Sequence, residues 1–319
     1  MSGDLENAAG ALSLNVTVLR EAWRPHPLSW IHRAEARSIG EELRRAGYVV
    51  RLEQYRSDSV SKVPSGPLLL RMSDPVMFAA VQALTRVGIH YLGPSGVVME
   101  RCYDKHEAYR IATANGIDCP VTALASEADV IPFPLVLKPR RGSDSIGVRM
   151  LRASPIPERM RNDGYVAQQY VRGAELTVAV LHERAGIPLR ILLPEGTPYS
   201  FSRKYLLRPP RAPVAGTHLA ERVRLAALKI AGILGVDWAA RVDLIHEAAT
   251  DRLYFLECDV VPLIGAHSAF AASLEAGGIP RAEQLRLLLK GSPVKPDASI
   301  CDSVGQQTKP ALIDKQKGE

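Results

Sequence analysis

Apolar and polar positions recur along this chain with two periods, near two and near 3.6, and the switches between them mark its elements. Leu14–Leu19 reads as a strand, and Ile31–Ala46 as a helix with Ile31, Ala34, Ser38 and Leu43 near one face and Gly47 as its stop. Tyr48–Leu52 and Pro67–Arg71 read as strands, followed by a helix over Pro75–Val87 with the proline in its first turn and Asp74 as its cap. This order predicts a small parallel sheet with helices on its faces. Further on, the pattern predicts a helix over Asp104–Asn115, antiparallel strands within Leu135–Leu181, and a helix over His218–Leu234 with Leu219, Val223, Ala226, Ala227, Ile230 and Leu234 on its buried stripe. Helices at Ser268–Ala276 and Arg281–Leu289 complete the pattern. The expected organisation is a loose tail over 1–13, an α/β unit over 14–94, a central unit over 95–181, a C-terminal unit over 182–292, and a polar segment over 293–319 with little to bury and disorder expected. The fold class is α/β with α+β character.

Ala239–Ile245 and Leu253–Glu257 are two short apolar runs joined by the polar His246–Arg252, which reads as a hairpin. Such a pair places Asp243, Glu257 and Asp259 together at strand ends. Clustered carboxylates repel one another unless a cation holds them, and hard oxygen donors suit Mg²⁺ or Mn²⁺. The alternative is two solvated acids and one structural acid. Alternation turns Cys258 to the opposite face, into the core. Upstream, Phe133–Pro139 is a strand that carries Lys138 near its end. It is followed by Gly142–Gly147, a small flexible loop containing Ser143 and Ser145. Such a loop lets backbone N–H groups approach an anion, or simply forms a hairpin turn. The Walker pattern is absent. Arg71 ends a strand of the first unit, where open parallel sheets bind ligands. It holds a donor carboxylate there or pairs with Asp74. Trp23 and Trp30, with His26 between them, line a pocket or sit in the core.

Taken in order, from about Gly93 to Leu289, these motifs resemble the ATP-grasp ligases, and within them the D-alanine–D-alanine ligase branch. The resemblance implies an ATP-grasp fold, with two α+β subdomains sandwiching ATP beside the N-terminal parallel-sheet domain. Lys105 and Lys138 resemble the two nucleotide-binding lysines, and the Gly142–Gly147 loop with Ser143 and Ser145 resembles the lid over the phosphates. Val166–Val178 is similar to the adenine hinge. There Gln168, Gln169 and Val171 meet the base and Glu175 meets the ribose. Lys204 and Tyr205 resemble the pair that closes on phosphate, and His267 and Ser268 the pair that receives the second amino acid's carboxylate. Arg241 falls on the oxyanion arginine, although a structural salt bridge with Asp243 or Glu257 is its alternative. Asp243, Glu257 and Asp259 fall on the metal ligands. The implied reaction is ATP-dependent joining of a carboxylate to an amine through an acyl phosphate. The strand-end Arg71 also resembles the RimK-like ligases. A cyclising ATP-grasp enzyme and a nucleotide binder without catalysis are the other readings.

The departures concern the first substrate. The family's first strand runs into a glycine-rich turn and a Glu-Arg-Glu-Val-Ser segment whose glutamate holds the ammonium of the first D-alanine. Here Arg20–Trp30 takes that place, and Glu21, the nearest acid, sits early in it. Leu263 stands where the family has a glycine, Asp259 where asparagine is usual, and Gln168 where glutamate is common. The ATP half is retained and the first-substrate half is rebuilt.

Composition narrows the picture further. At 319 residues, with 46% hydrophobic and 23% charged positions, the chain is long enough for two or three units sharing cores. The net charge of +6 raises nucleic-acid binding as a possibility. However, arginines such as Arg33, Arg37, Arg44, Arg45, Arg222 and Arg224 are scattered along helices with no interleaved aromatics, so no nucleic-acid partner is expected. Cys102, Cys119, Cys258 and Cys301 have neither disulfide-framework nor zinc spacing. No apolar run approaches the ~18 residues of a membrane span, and the N-terminus lacks the basic start and apolar core of a signal peptide. A cytoplasmic enzyme is expected, with a homodimer implied by the family resemblance.

Overall fold

The computed structural model describes residues 15–58, 66–142, 146–153, 155–192 and 209–290. The expected tails, and Ser143, Ser145, Lys204 and Tyr205, lie outside the described residues. The first unit holds strands β1 (Asn15–Arg20), β2 (Val49–Gln54) and β3 (Leu68–Arg71), all parallel in the order β2-β1-β3. Helix α1 (Pro27–Arg45) starts four residues before the expected Ile31, because Pro27 opens it and His26 caps it by accepting from the Leu28 N–H at 3.3 Å. Its buried face is also rotated from the expected one. Leu28, His32, Glu35, Ala36, Ile39 and Leu43 point inward, while Ile31 and Ala34 are half-buried and Ser38 is exposed. Helix α2 (Asp74–Arg86) is preceded by Ser73, so Asp74 lies in the first turn rather than at the cap.

Helices α3 (Gly96–Tyr103) and α4 (Lys105–Ala114) follow; α3 was not anticipated. They are separate because Asp104 leaves helical geometry and caps α4, accepting from the Glu107 N–H at 3.2 Å. Strands β4 (Thr122–Leu124), β5 (Leu135–Pro139), β6 (Arg149–Leu151) and β7 (Tyr165–Gln169) form an antiparallel sheet in the order β4-β7-β5-β6. Next come β8 (Ala174–Leu181), β9 (Arg184–Ala185), β10 (Leu189–Ile191), β11 (Arg211–Pro213), helix α5 (Thr217–Leu234), β12 (Ala239–Glu247), β13 (Arg252–Asp259), α6 (Ala269–Ala276) and α7 (Arg281–Lys290). Their sheet runs β11-β10-β8-β12-β13, with β9 paired to β8. Strand β8, placed by the sequence reading at the end of the central unit, is therefore a strand of the C-terminal sheet, and the crossing between sheets falls at residues 170–173. Leu70 and Met77 of the first unit share one core with Val178, Val242 and Phe255, so the units are packed together rather than strung out.

Gly173, at that crossing, runs against β12. A Cβ there would collide with the His246 carbonyl and the Ile245 side chain. Gly173→Ala is expected to cost roughly 1–3 kcal/mol by overpacking. Gly232→Ala, at an exposed position of α5 with nothing in the way, is expected to gain up to about 1 kcal/mol. Thermal melting of the two variants beside the parent protein checks both signs.

Candidate active site

Strand β12 is central, antiparallel to both β8 and β13. Its register with β13 sets Arg241 opposite Asp259 and Asp243 opposite Glu257, with an irregularity between Asp243 and Leu244. The period of two puts these four side chains on one face and sends Val242 and Cys258 into the core, as expected. The Arg241 guanidinium donates to Asp243 through Nε at 3.0 Å and Nη2 at 3.1 Å. Its Nη2 also lies 3.3 Å from Asp259 Oδ2 and 3.9 Å from Glu257 Oε1. Thr177 of β8 donates to Asp243 Oδ1 at 2.7 Å, and Asp259 Oδ1 accepts from the Val261 N–H at 3.0 Å. Burial acts to lower the pKa of Arg241, but Asp243, Asp259 and Glu257 outweigh it and hold the guanidinium well above its ordinary value. The expected convergence of carboxylates is present, centred on a guanidinium. Among the described residues no three Asp, Glu, His or Cys side chains are already gathered as a metal site.

The second half of the site comes from α4 and the β5–β7 sheet. Lys138 on β5 donates to Gln168 Oε1 at 2.6 Å and to the Tyr109 hydroxyl at 3.5 Å. Gln168 is buried on β7 and donates in turn to Thr122. A glutamine there orients the lysine without adding a negative charge. Lys105 opens α4, and its ammonium donates to the Gly142 carbonyl at the start of the glycine loop. Tyr109, one turn further on the same face, donates to the Leu256 carbonyl at 2.5 Å and packs edge-on against Phe255. Helix α4 therefore ties the loop to the carboxylate hairpin, and Lys105, Tyr109, Gly142, Glu257 and Asp259 line one cleft. A neighbouring cleft is lined by Glu175, Thr177, Arg241, Asp243 and Ala269. At the hinge, the Gln169 N–H donates to the Val121 carbonyl and the Tyr170 N–H to the Pro134 carbonyl, while Val171 is buried.

Asp104 pins this arrangement through Arg140 at 2.9 Å and Arg141 at 3.5 Å. Burial acts to raise its pKa, but Arg140, the Glu107 N–H and Arg141 outweigh it, so the carboxylate titrates below its ordinary value. A depressed carboxylate stabilises the fold above the unfolded-state value of about 4, and that contribution is lost as pH falls through the folded-state value. Asp104→Asn is thus expected to melt below the parent protein at pH 7, with the gap narrowing as the pH drops below about 4. Melting curves from pH 7 to 3 check this.

The sequence model of the ATP-grasp domain matches residues 102–192. The D-alanine–D-alanine ligase of Nitrosospira multiformis is 30% identical over 213 residues, covering 62% of this chain and 69% of the relative. The chain belongs to the D-alanine–D-alanine ligase-like family of ATP-grasp enzymes. The D-alanine–D-alanine ligase of Thermotoga maritima is 29% identical over 228 residues, covering 66% of this chain and 73% of that one. In three dimensions the chain is similar to the Bacillus anthracis D-alanine–D-alanine ligase complexed with ATP (TM-score 0.73, 20% identity, 88% of this chain and 96% of that one). It also resembles the VanG D-Ala:D-Ser ligase of Enterococcus faecalis (TM-score 0.68, 16% identity, 86% and 98%). The fold is thus the ATP-grasp fold expected from the motifs.

Within this ATP-grasp frame, Ser268 caps α6, accepting from the Ala271 N–H at 3.0 Å, and the next residue lines the cleft of Arg241. His267 is exposed, and its carbonyl accepts from Arg211 at 3.1 Å. Arg71 is 0% exposed and donates to Glu35 at 2.6 Å and to the Pro262 carbonyl at 2.6 Å, so its pairing is internal and with Glu35 rather than Asp74. The RimK-like reading drawn from it loses its support. Trp23 and Trp30 are 65% and 64% exposed, so they are not core. They also do not line the cleft at the strand ends, which is bounded by Glu21, Arg24, Tyr55 and Arg56. Sequence reasoning missed Tyr109 and passed over Glu21. Tyr109 sits four residues after Lys105 and Glu21 immediately follows a strand, and those positions were the available signals.

Proposed function

We propose that this chain is an ATP-dependent, ADP-forming ligase that activates a small carboxylic acid and joins it to an amine. The observation that carries this reading is the convergence of Lys105 and an arginine-centred carboxylate group around neighbouring clefts, with Lys138 joined to them through Tyr109. Backbone groups near Gln169 and Val171 bind the adenine edge, Gln168 contributes to the nucleotide site by orienting Lys138, and Glu175 binds the ribose. Lys105 and Lys138, with Lys204, Ser143 and Ser145, bind and neutralise the phosphates. A carboxylate oxygen of the donor attacks the γ-phosphorus, the bond to ADP breaks, and an acyl phosphate forms. The amine nitrogen then attacks the acyl carbon, the nitrogen loses a proton, and phosphate leaves. Arg241 stabilises the oxyanion formed in that attack, a role worth about 3–4 kcal/mol in comparable sites. His267, Ser268 and Tyr205 orient the acceptor.

Asp243, Glu257 and Asp259, each within 3.0–3.9 Å of the Arg241 guanidinium, are hard oxygen donors of the kind Mg²⁺ or Mn²⁺ takes and would hold such an ion. Such an ion, when bound, offsets charge on the β- and γ-phosphates. We place the enzyme in the cytoplasm, where ATP is available, as a homodimer. No helix among the described residues is long and apolar enough to cross a membrane.

The test is ADP release with ATP and Mg²⁺ against D- and L-amino acids and simple acids, singly and in pairs, with Asp243→Asn/Glu257→Gln as the blank. Turnover that requires a donor and an acceptor and vanishes in the blank is the expected result. ATP binding with no turnover on any pair overturns the ligase reading in favour of a nucleotide binder.

A further inference from the structure

The carboxyl ends of β1 and β2 open onto a cleft lined by Glu21, Arg24, Tyr55, Arg56 and Ser57, with Asp58 at its exposed mouth. Strand β1 lies between β2 and β3, and the cleft sits beyond the carboxyl ends of β1 and β2, the end of an open parallel sheet at which ligands bind. The start of α2 stands between it and the cleft of Lys105 and Glu257, with Val76 lining the first and Asp74 the second.

The acid in this cleft is already satisfied from within the chain. Glu21 is 1% exposed, accepts from the Ser73 N–H at 2.9 Å and pairs with Arg24 at 2.7 Å. Burial acts to raise its pKa, yet the Ser73 and Arg24 contacts hold it below its ordinary value. Arg24 is itself 46% exposed and donates to the Ser73 hydroxyl at 3.1 Å, so the pair is fixed in place. Further arginines of β1 and α1 stand beside the cleft without lining it. Arg33 donates to the Glu21 carbonyl at 2.8 Å, and Arg20 carries a buried Nε without a hydrogen-bond partner. The pKa of Arg20 is lowered by burial and then by Arg33 and Arg37. A ligand ammonium entering here would meet Arg24 and Arg56 and a buried carboxylate whose charge is already spent on Arg24 and the Ser73 N–H.

We propose that this cleft holds the donor acid of the proposed ligase reaction, and that Arg24, paired with Glu21, selects donors with no free ammonium beside the reacting carboxylate, such as N-acylated amino acids or dicarboxylic acids. This rests on the ligase reading. Its test therefore reads binding rather than turnover.

Binding of N-acetyl-D-alanine, N-acetyl-L-alanine and succinate is compared with binding of D- and L-alanine by ligand-observed NMR titration of the full chain with Mg²⁺ and a non-hydrolysable ATP analogue. At least one ammonium-free acid is expected to bind tenfold or more tighter than either alanine. Arg24→Ala, which uncovers Glu21, is expected to reverse that preference, whereas Arg24→Lys keeps it. Melting curves confirm that both variants fold, and the parent ratio stands without them. Alanine binding as tightly as the ammonium-free acids, no binding by any of those acids, or an unchanged ratio in folded Arg24→Ala overturns the proposal. ADP release with a free amino acid as donor would overturn it while leaving the ligase reading intact. Selective binding without ADP release would do the reverse.

Discussion

Arg241→Met is expected to lower kcat by a hundredfold or more and, in the absence of divalent cations, to lower the melting temperature. Two separate effects combine. The guanidinium is the oxyanion partner in the proposed reaction, and loss of one such donor typically costs 10²–10³ in rate. It is also the cation within 3.0–3.9 Å of three carboxylates. Removing the cation from this partly buried cluster leaves uncompensated charge, at a cost below the roughly 3–5 kcal/mol of a fully buried pair. Added Mg²⁺ restores part of the lost charge balance, so it should raise the melting temperature of the variant more than that of the parent. Calorimetry with and without Mg²⁺ reads this. A variant with parental melting behaviour and no gain from Mg²⁺ would show that the three acids do not depend on the guanidinium and do not share an ion.

Glu35→Gln is expected to be the most damaging single substitution outside the site. Glu35 on α1 pairs with the fully buried Arg71 at 2.6 Å and accepts from the Gly265 N–H at 3.0 Å and from the Ile264 N–H. Arg71 also donates to the Pro262 carbonyl, while its buried Nη1 has no hydrogen-bond partner. The glutamine leaves Arg71 buried beside a neutral amide, a loss of about 3–5 kcal/mol. The double variant Glu35→Gln/Arg71→Met should recover part of it, because the stranded charge is gone. Residues 262–265 also connect Asp259 to His267 and Ser268, so KM for the amine should rise more than kcat falls. Thermal melting of the single and double variants, with KM and kcat measured separately, decides this. A single variant as stable as the parent would mean that the pair carries no net weight.

Much of this arrangement is readable from local pattern. The hairpin was legible because its two apolar runs alternate and its turn is polar, and Lys138 because it ends a strand ahead of a glycine loop. The parallel three-stranded sheet followed from the element order. The inward face of α1 did not, because His32 and Glu35 break the apolar stripe and their reason lies elsewhere. Arg71, the partner of Glu35, is 36 residues away in sequence, and no periodicity records such a pairing. Helix α3 is too short at eight residues to show a period of its own, and Asp104 hid it by looking like the start of a single helix. Asp74 was the natural cap by residue type, but the Ser73 N–H is taken by Glu21 and its hydroxyl receives Arg24, contacts fixed by tertiary structure.

The register of β12 with β13 also governs where this chain can be lengthened. Side chains alternate faces, so a residue inserted within either strand would turn every position beyond it over, sending Asp243 or Glu257 inward and bringing Val242 or Cys258 to the cleft. Residues 248–251, by contrast, form an exposed turn at the far end of the hairpin, away from Arg241 and Asp259. Extra sequence there leaves the pairing untouched, which makes this turn the place to graft a peptide tag or a reporter loop while keeping the catalytic face in phase.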